Sequence, residues 1–311
     1  MKRPRDKIMS WLILIVLAMT WGSSFILIKK GLEVYSSQEV GALRIVISFL
    51  FLLPFALRNI KKVRAKELAI LSIIGLVGSV GPAFLFAKAQ TGIDSNLAGI
   101  LNSLTSLFTL LVGLLFFQLK ARWFHVLGVI LGLFGAIGLI QVSGGHTFSF
   151  NLHYSAYVIL ATICYAFNVN LVKKYMKRLD AITITSVSFF MVGLPVLLYL
   201  MFFTDFTRQI SSDHQAWTGL MYIGILAVFG TGLALIIFNY LIKISSPVMA
   251  ASVTYLIPIV AIFWGINDDE KFEPVYLLWI ALILIGVFLV NVNYQNPFFK
   301  KIRLRFRKTK K

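Results

Sequence analysis

The sequence is short of charge. Asp, Glu, Lys and Arg make up 14% of its 311 residues, about half the share in an ordinary soluble chain. Hydrophobic residues make up 59%, more than a soluble core can hide, so lipid is the solvent for most of the chain. Cysteine is scarcer still. The lone Cys164 excludes an intramolecular disulfide and, inside an apolar segment, reads as an inert buried thiol. The four histidines, His125, His146, His153 and His214, fall at span ends or in loops without metal-ligand spacing, so neither a metal nor a cofactor is expected. A P-loop is also missing, which removes ATP as a drive.

Lipid-spanning backbone must be helix or closed barrel. Barrel strands would be about 10 residues of alternating polarity. The apolar runs here are twice that length and continuous, at 10–29, 38–57, 68–89, 95–118, 123–142, 154–174, 182–203, 216–242, 246–266 and 274–294. The fold class is therefore all-α, a polytopic membrane protein of ten transmembrane helices. The N-terminus imitates a signal peptide but reads as a retained first membrane helix. Basic residues collect at one set of ends, from Lys2–Lys7, Arg58–Lys66, Lys120 and Arg122 to Lys173–Arg178, Lys243 and Lys300–Lys311. That asymmetry puts both termini in the cytoplasm of a multi-pass cytoplasmic (inner) membrane protein. It also explains the net charge of +18 as topology plus attraction to anionic lipid headgroups, with no nucleic-acid partner expected.

Acid is absent where it would matter most. Neither Asp nor Glu is expected inside a span, with Glu39 and Asp94 at the rim. A proton-driven antiporter of cationic drugs needs an embedded carboxylate, so that class is disfavoured. An integral-membrane enzyme needs clustered acids, His or Cys at a membrane face. "INDDEKFE" (Ile266–Glu273) is the one such cluster and reads as an acidic external loop, so the chain is not expected to be an enzyme.

The sequence repeats itself. "TWGSSFILIKK" (Thr20–Lys30) matches "CYAFNVNLVKK" (Cys164–Lys174), Ser95–Leu111 matches Pro247–Phe263, and Val126–Leu139 matches Leu277–Val290, in the same order and at nearly the same offset. Two five-helix halves follow, 1–150 and 151–296, with a basic cytoplasmic tail at 297–311. Five is odd, so the halves are inverted, an arrangement common in secondary transporters. With "WGSSFILIKKG" in span one, "ALRIVISFLFLLP" (Ala42–Pro54) in span two, "SNLAGILNSLTSLFTLL" in span four and "SSPVMAASVTYLIPIVAIFWG" (Ser245–Gly265) in span nine, the chain resembles EamA-type members of the drug/metabolite transporter superfamily. The resemblance implies a ten-helix basket that exports or exchanges small metabolites. One departure stands out. The family's Glu at the end of span four is not evident near Gln118–Lys120, while Asp269–Glu270 holds the equivalent place after span nine.

Candidate site residues come from polar groups inside the spans. Trp21 and Ser24 share a helix face, and their repeat counterparts Tyr165 and Asn168 are again aromatic plus polar. They either line a cavity or tie helices together. Asn102, Thr105, Ser106 and Thr109 form one stripe, answered in span nine by Ala251, Tyr255 and Pro258. Arg44 pairs with Glu39 or Asp94, or serves as counter-charge for a carboxylate or phosphate. Lys88, whose counterpart Tyr240 neighbours Asn239, is ambiguous in the same way. Pro82, Pro195 and Pro258 are candidate gate hinges, because each frees a carbonyl in mid-helix. The glycines of span five, with "GVILG", read as helix packing.

The expected function is a facilitator or exchanger, working by alternating access and in the export direction, for small metabolites such as amino acids. The alternatives are a translocator of a phosphorylated, nucleotide-linked or lipid-linked metabolite and, less favoured, a membrane enzyme or a non-transporting subunit.

Overall fold

A computed structural model of the chain describes residues 4–119, 122–143, 148–212, 214–244, 250 and 252–291. These residues form helices, turns and short loops, with no strand among them. Eight helices are long and apolar enough to span a bilayer: α1 (Leu12–Leu32), α2 (Ser37–Lys62), α3 (Ala65–Ala89), α4 (Ser95–Phe117), α5 (Trp123–Val142), α6 (Leu152–Tyr175), α7 (Ala181–Phe203) and α8 (His214–Ile244). Two shorter apolar helices complete the ten, α9 (Ile257–Asn267) and α10 (Tyr276–Leu289). Of the ninth run, residues 246–249 and 251 lie outside the described residues; a 3-10 turn, Ser252–Tyr255, leads into α9, and Pro258 sits in the first turn of that helix. The basic tail at 297–311 lies outside the described residues.

The halves exchange partners. Helix α2 packs on its counterpart α7, and α5 on α10, while α1 packs on α8 and α9 as α6 packs on α3 and α4. Small residues make these approaches possible. A Cβ on Gly286 of α10 would stand 2.5 Å from the backbone of Gly128 and Gly132, so the "GVILG" glycines are seats for α10.

Near mid-depth the regular helices break. Helix α3 carries a π turn at Leu76–Val80 and α8 another at Leu226–Leu233. Helix α4 tightens to 3-10 at Asn102–Leu104, and its counterpart does so at Ser252–Tyr255. Leu226 stands 150 positions after Leu76, and Ser252 stands 150 after Asn102, so the breaks are repeated with the halves. Helix α1 is interrupted at Ser23, beside Gly22. Pro82 follows the first π turn and Pro258 the second 3-10 turn, each at the start of the resumed helix, where a missing N–H costs nothing. Pro195 does not share this role; it is exposed on α7.

The α3 break has a specific steric requirement. A Cβ on Gly78 would stand 2.6 Å from Asn168 Cγ on α6, while Gly224 has open space around it. Gly78→Val should therefore cost about 1–3 kcal/mol through overpacking, read as a lowered melting temperature in detergent. Gly224→Ala should leave the melting temperature unchanged or slightly raised, and equal melting of both variants would refute this packing account.

Candidate functional site

The breaks converge on one internal cavity of about 810 Å³ of empty space, counted out to its mouth. From the first half Trp21, Ser24, Arg44, Ser79, Asn102 and Thr105 reach it; from the second, Tyr165, Asn168, Thr231, Phe238 and Thr254. A widened or tightened turn leaves carbonyls without their helical donors, and in lipid these need partners from the protein. The α8 turn shows how they are supplied. Trp21 Nε1 donates to the Gly230 carbonyl at 2.9 Å, Ser48 Oγ to the Ala227 carbonyl at 2.8 Å, and Thr231 Oγ1 to the Leu226 carbonyl at 3.2 Å. This accounts for the small residues around Trp21. Gly22 lies against Val260, Ser24 Oγ turns back to the Thr20 carbonyl, and Ser23 Oγ accepts from Trp264 Nε1 at 2.8 Å.

Arg44 is buried, and its Nε donates to Thr231 Oγ1 at 2.7 Å. Its guanidinium also faces the Tyr165 hydroxyl. Neither Glu39 nor Asp94 pairs with it. Among the described residues the ion pairs involve other cations, and Glu39 instead closes a capping box with Ser36. The polar stripe of α4 divides. Asn102 and Thr105 face the cavity, Ser106 bonds Thr254 across to the second half at 2.9 Å, and Thr109 turns to its own backbone. Asn168 is buried with Oδ1 lacking a partner among the described residues.

Two expected site residues lie elsewhere, and a third is not described. Lys88 is exposed in the last turn of α3, on a face turned away from the cavity. Asn239 is buried between helices and donates to Thr185 Oγ1 at 3.0 Å, so it ties α8 to α7. The side chain of Tyr255 lies outside the described residues, and Thr254 and Val253 represent its segment in the cavity. Residues not anticipated are Ser79, Thr231 and Thr254, with Phe25, Phe86 and Phe238. The available signal was the pair of glycine-containing segments "VGSVG" (Val77–Gly81) and "FGTGL" (Phe229–Leu233), 152 positions apart.

The profile of the EamA-like transporter family matches residues 9–141 and again residues 154–292, one match for each half of the bundle. The chain belongs to this family. Similar curated proteins include the inner membrane transporter YedA of Escherichia coli K12, 25% identical over 283 residues that cover 90% of each chain. The transporter YvbV of Bacillus subtilis 168 is 28% identical and covers 91% of each. A probable terminal-alkyne amino-acid exporter of Streptantibioticus cattleyicolor is 23% identical and covers 89% of this chain and 92% of its own. A solved crystal structure superposes with a TM-score of 0.63 at 13% identity, over 94% of this chain and 98% of that one, which shows the shared fold. This EamA-like chain is thus a multi-pass membrane transporter of a small-molecule solute.

The EamA-like scaffold closes differently at its two ends. Spans α4 and α9 both finish on a left-handed residue, Gln118 and Asp269, at φ 57° and 59°. The next residue folds back in both: Leu119 N donates to the Gly113 carbonyl, six residues back, and Glu270 N to the Gly265 carbonyl, five back, each at 2.9 Å. Leu119 therefore stands where the family's acid was sought in the first half. Glu270, 2% exposed, accepts from Ser95 N, Ser95 Oγ and Asn96 N at the start of α4, where a carboxylate suits the helix dipole. It also pairs with Lys29 at 3.0 Å, while Asp268 bridges Lys29 and Lys30 at 2.6 and 2.8 Å. At the opposite end Lys174 lies over the Phe117 ring at 5.2 Å and Lys173 donates to the Ile242 carbonyl.

Burial pushes the Asp268 carboxyl up, but the hydrogen bonds from Lys29 and Lys30 outweigh it and hold the group below its ordinary value. Its stabilisation is thus full above about pH 3.9 and is lost as pH falls through the lower folded value. Asp94 moves the other way, upward, through desolvation first and the nearby Glu270 second. Glu270→Ala strips the α4 N-terminus of its acceptor and leaves Lys29 with Asp268 alone. It should lower stability by about 2 kcal/mol, and combined with Lys29→Met the loss should be less than additive. Melting curves of the two single variants and the double variant decide it; strict additivity would mean the pair is uncoupled.

Proposed function

We propose that this transporter is a secondary carrier, a facilitator or exchanger. It moves a small amphipathic metabolite out of the cell across the cytoplasmic membrane by alternating access, with both termini in the cytoplasm. The observation that carries the reading is the meeting of repeat-related helix breaks at one polar cavity. Discontinuous helices at the interface of inverted repeats are where secondary transporters hold their substrates. The unequal ends support the rest: the Lys29–Glu270 network is a closure that must open for solute to pass, and the Lys174 end is its weaker counterpart. One relative named as an amino-acid exporter supports both an amino-acid-sized body and the outward direction.

A phosphorylated or nucleotide-linked solute is the weaker reading. It drew on two cations, Arg44 and Lys88, and only Arg44 lines the cavity. Asn102 and Asn168 place an amide in the cavity from each half. In proteoliposomes loaded with candidate metabolites, Asn102→Leu and Asn168→Leu should each reduce efflux at least about tenfold, the scale of one lost polar contact. Efflux at the wild-type rate from both variants would take these two residues out of the substrate path.

A further inference from the structure

We propose that the cavity selects solutes of net charge −1: a single carboxylate seated on Arg44, carried by an apolar or aromatic body. The inference rests on the carrier reading above and narrows its substrate to a chemical class. Arg44 supplies the one formal charge among the described residues lining the cavity, and no Asp or Glu joins it there. Its Nε is occupied by Thr231, which fixes the plane of the guanidinium, and no carboxylate lies within ion-pair distance. A guanidinium presents a planar fork of donors that fits a carboxylate with two parallel hydrogen bonds. Buried without an acid, it is a counter-charge awaiting its anion.

The remaining walls describe the rest of the solute. Trp21 meets Phe238 edge-on at 4.9 Å, Phe25 meets Phe86 at 5.5 Å, and Phe86 meets Tyr165 at 6.1 Å, so rings flank the cavity from both halves. They suit an aromatic or branched apolar body. The buried amide of Asn168 has its Oδ1 unpaired and stands in the lining, so it can accept one hydroxyl or N–H of the solute. A zwitterion leaves the cavity at net +1, because its ammonium cancels its carboxylate. A cation doubles the charge. A monoanion brings the loaded cavity to neutrality, which is the cheapest state to hold between two closed ends.

Three probes of one shape and different charge test this: phenyllactate (−1), phenylalanine (0) and phenylalanine amide (+1 when protonated). The full-length protein is purified, and binding is read as a melting shift while transport is read as efflux from proteoliposomes. Phenyllactate should bind and leave at least about tenfold better than phenylalanine, and phenylalanine amide should not register. Arg44→Gln should erase that preference, and Arg44→Lys should restore part of it, which separates charge from a folding defect. Equal handling of the three probes, or an unchanged preference in Arg44→Gln, overturns the proposal. If other solutes move while no member of the series does, the anion assignment fails and the carrier reading stands. If no solute of any charge moves, the carrier reading itself fails.

Discussion

Every backbone N–H and carbonyl inside a bilayer must find its partner within the protein, because lipid offers none. That constraint explains why so much of the chain is plain helix and why its irregular parts gather in one place. A π or 3-10 turn is tolerable at mid-depth only where side chains can take up the freed carbonyls. Trp21, Ser48 and Thr231 do this around the α8 turn, and they come from three different helices. The cavity is tied to this constraint: Trp21 and Thr231, which satisfy the broken α8 helix, also stand in its wall.

Much of this was legible in the sequence for a simple reason. Membrane helices announce themselves by length, and a duplicated pattern announces itself by a constant offset. Trp21, Ser24, Tyr165, Asn168, Asn102, Thr105 and Arg44 were picked out because a polar side chain within an apolar run needs an explanation, and all of them line the cavity. Where placement differs from expectation, hydropathy lacked the information. Lys88 was ambiguous in the sequence and brought in Asn239 through the repeat; the structure exposes the first and buries the second between α7 and α8. Ser79 and Thr231 reach the cavity from within the widened turns of α3 and α8. Hydropathy cannot detect such a change, because it alters no residue's polarity.

The two halves share a backbone plan and differ in chemistry. The left-handed turn after α4 is repeated after α9 with a similar return hydrogen bond, yet one carries Leu119 and the other Glu270. The lysines at the ends of α1 and α6 correspond as well. Lys29 and Lys30 meet carboxylates, whereas Lys174 meets the face of Phe117. A buried carboxylate that caps a helix and pairs with a lysine is stronger than a partly exposed cation–π contact, which contributes about 0.5–1 kcal/mol. A symmetric scaffold has therefore been given two ends tied together with unequal strength, and the end bearing Glu270 is the more strongly tied.

Arg44 shows how magnitude decides between a structural and a functional role. An arginine at the centre of a membrane helix costs roughly 2.5–3.5 kcal/mol on insertion scales, and Arg44, nearer one end of α2, costs less. The hydrogen bond to Thr231 recovers about 1.5–3 kcal/mol of that, since the donor is charged, and the facing Tyr165 hydroxyl adds a neutral partner but no counter-charge. A structural arginine would recover the remainder from a neighbouring acid, yet Glu39 is engaged with Ser36 and Asp94 lies outside pairing range. A carboxylate about 4 Å away at an effective dielectric near 20 supplies about 4 kcal/mol before its own desolvation. That is enough to offset what the protein leaves uncompensated, and it would do so only while a solute is bound. On the proposed reading, the charge is placed where its compensation depends on the cargo.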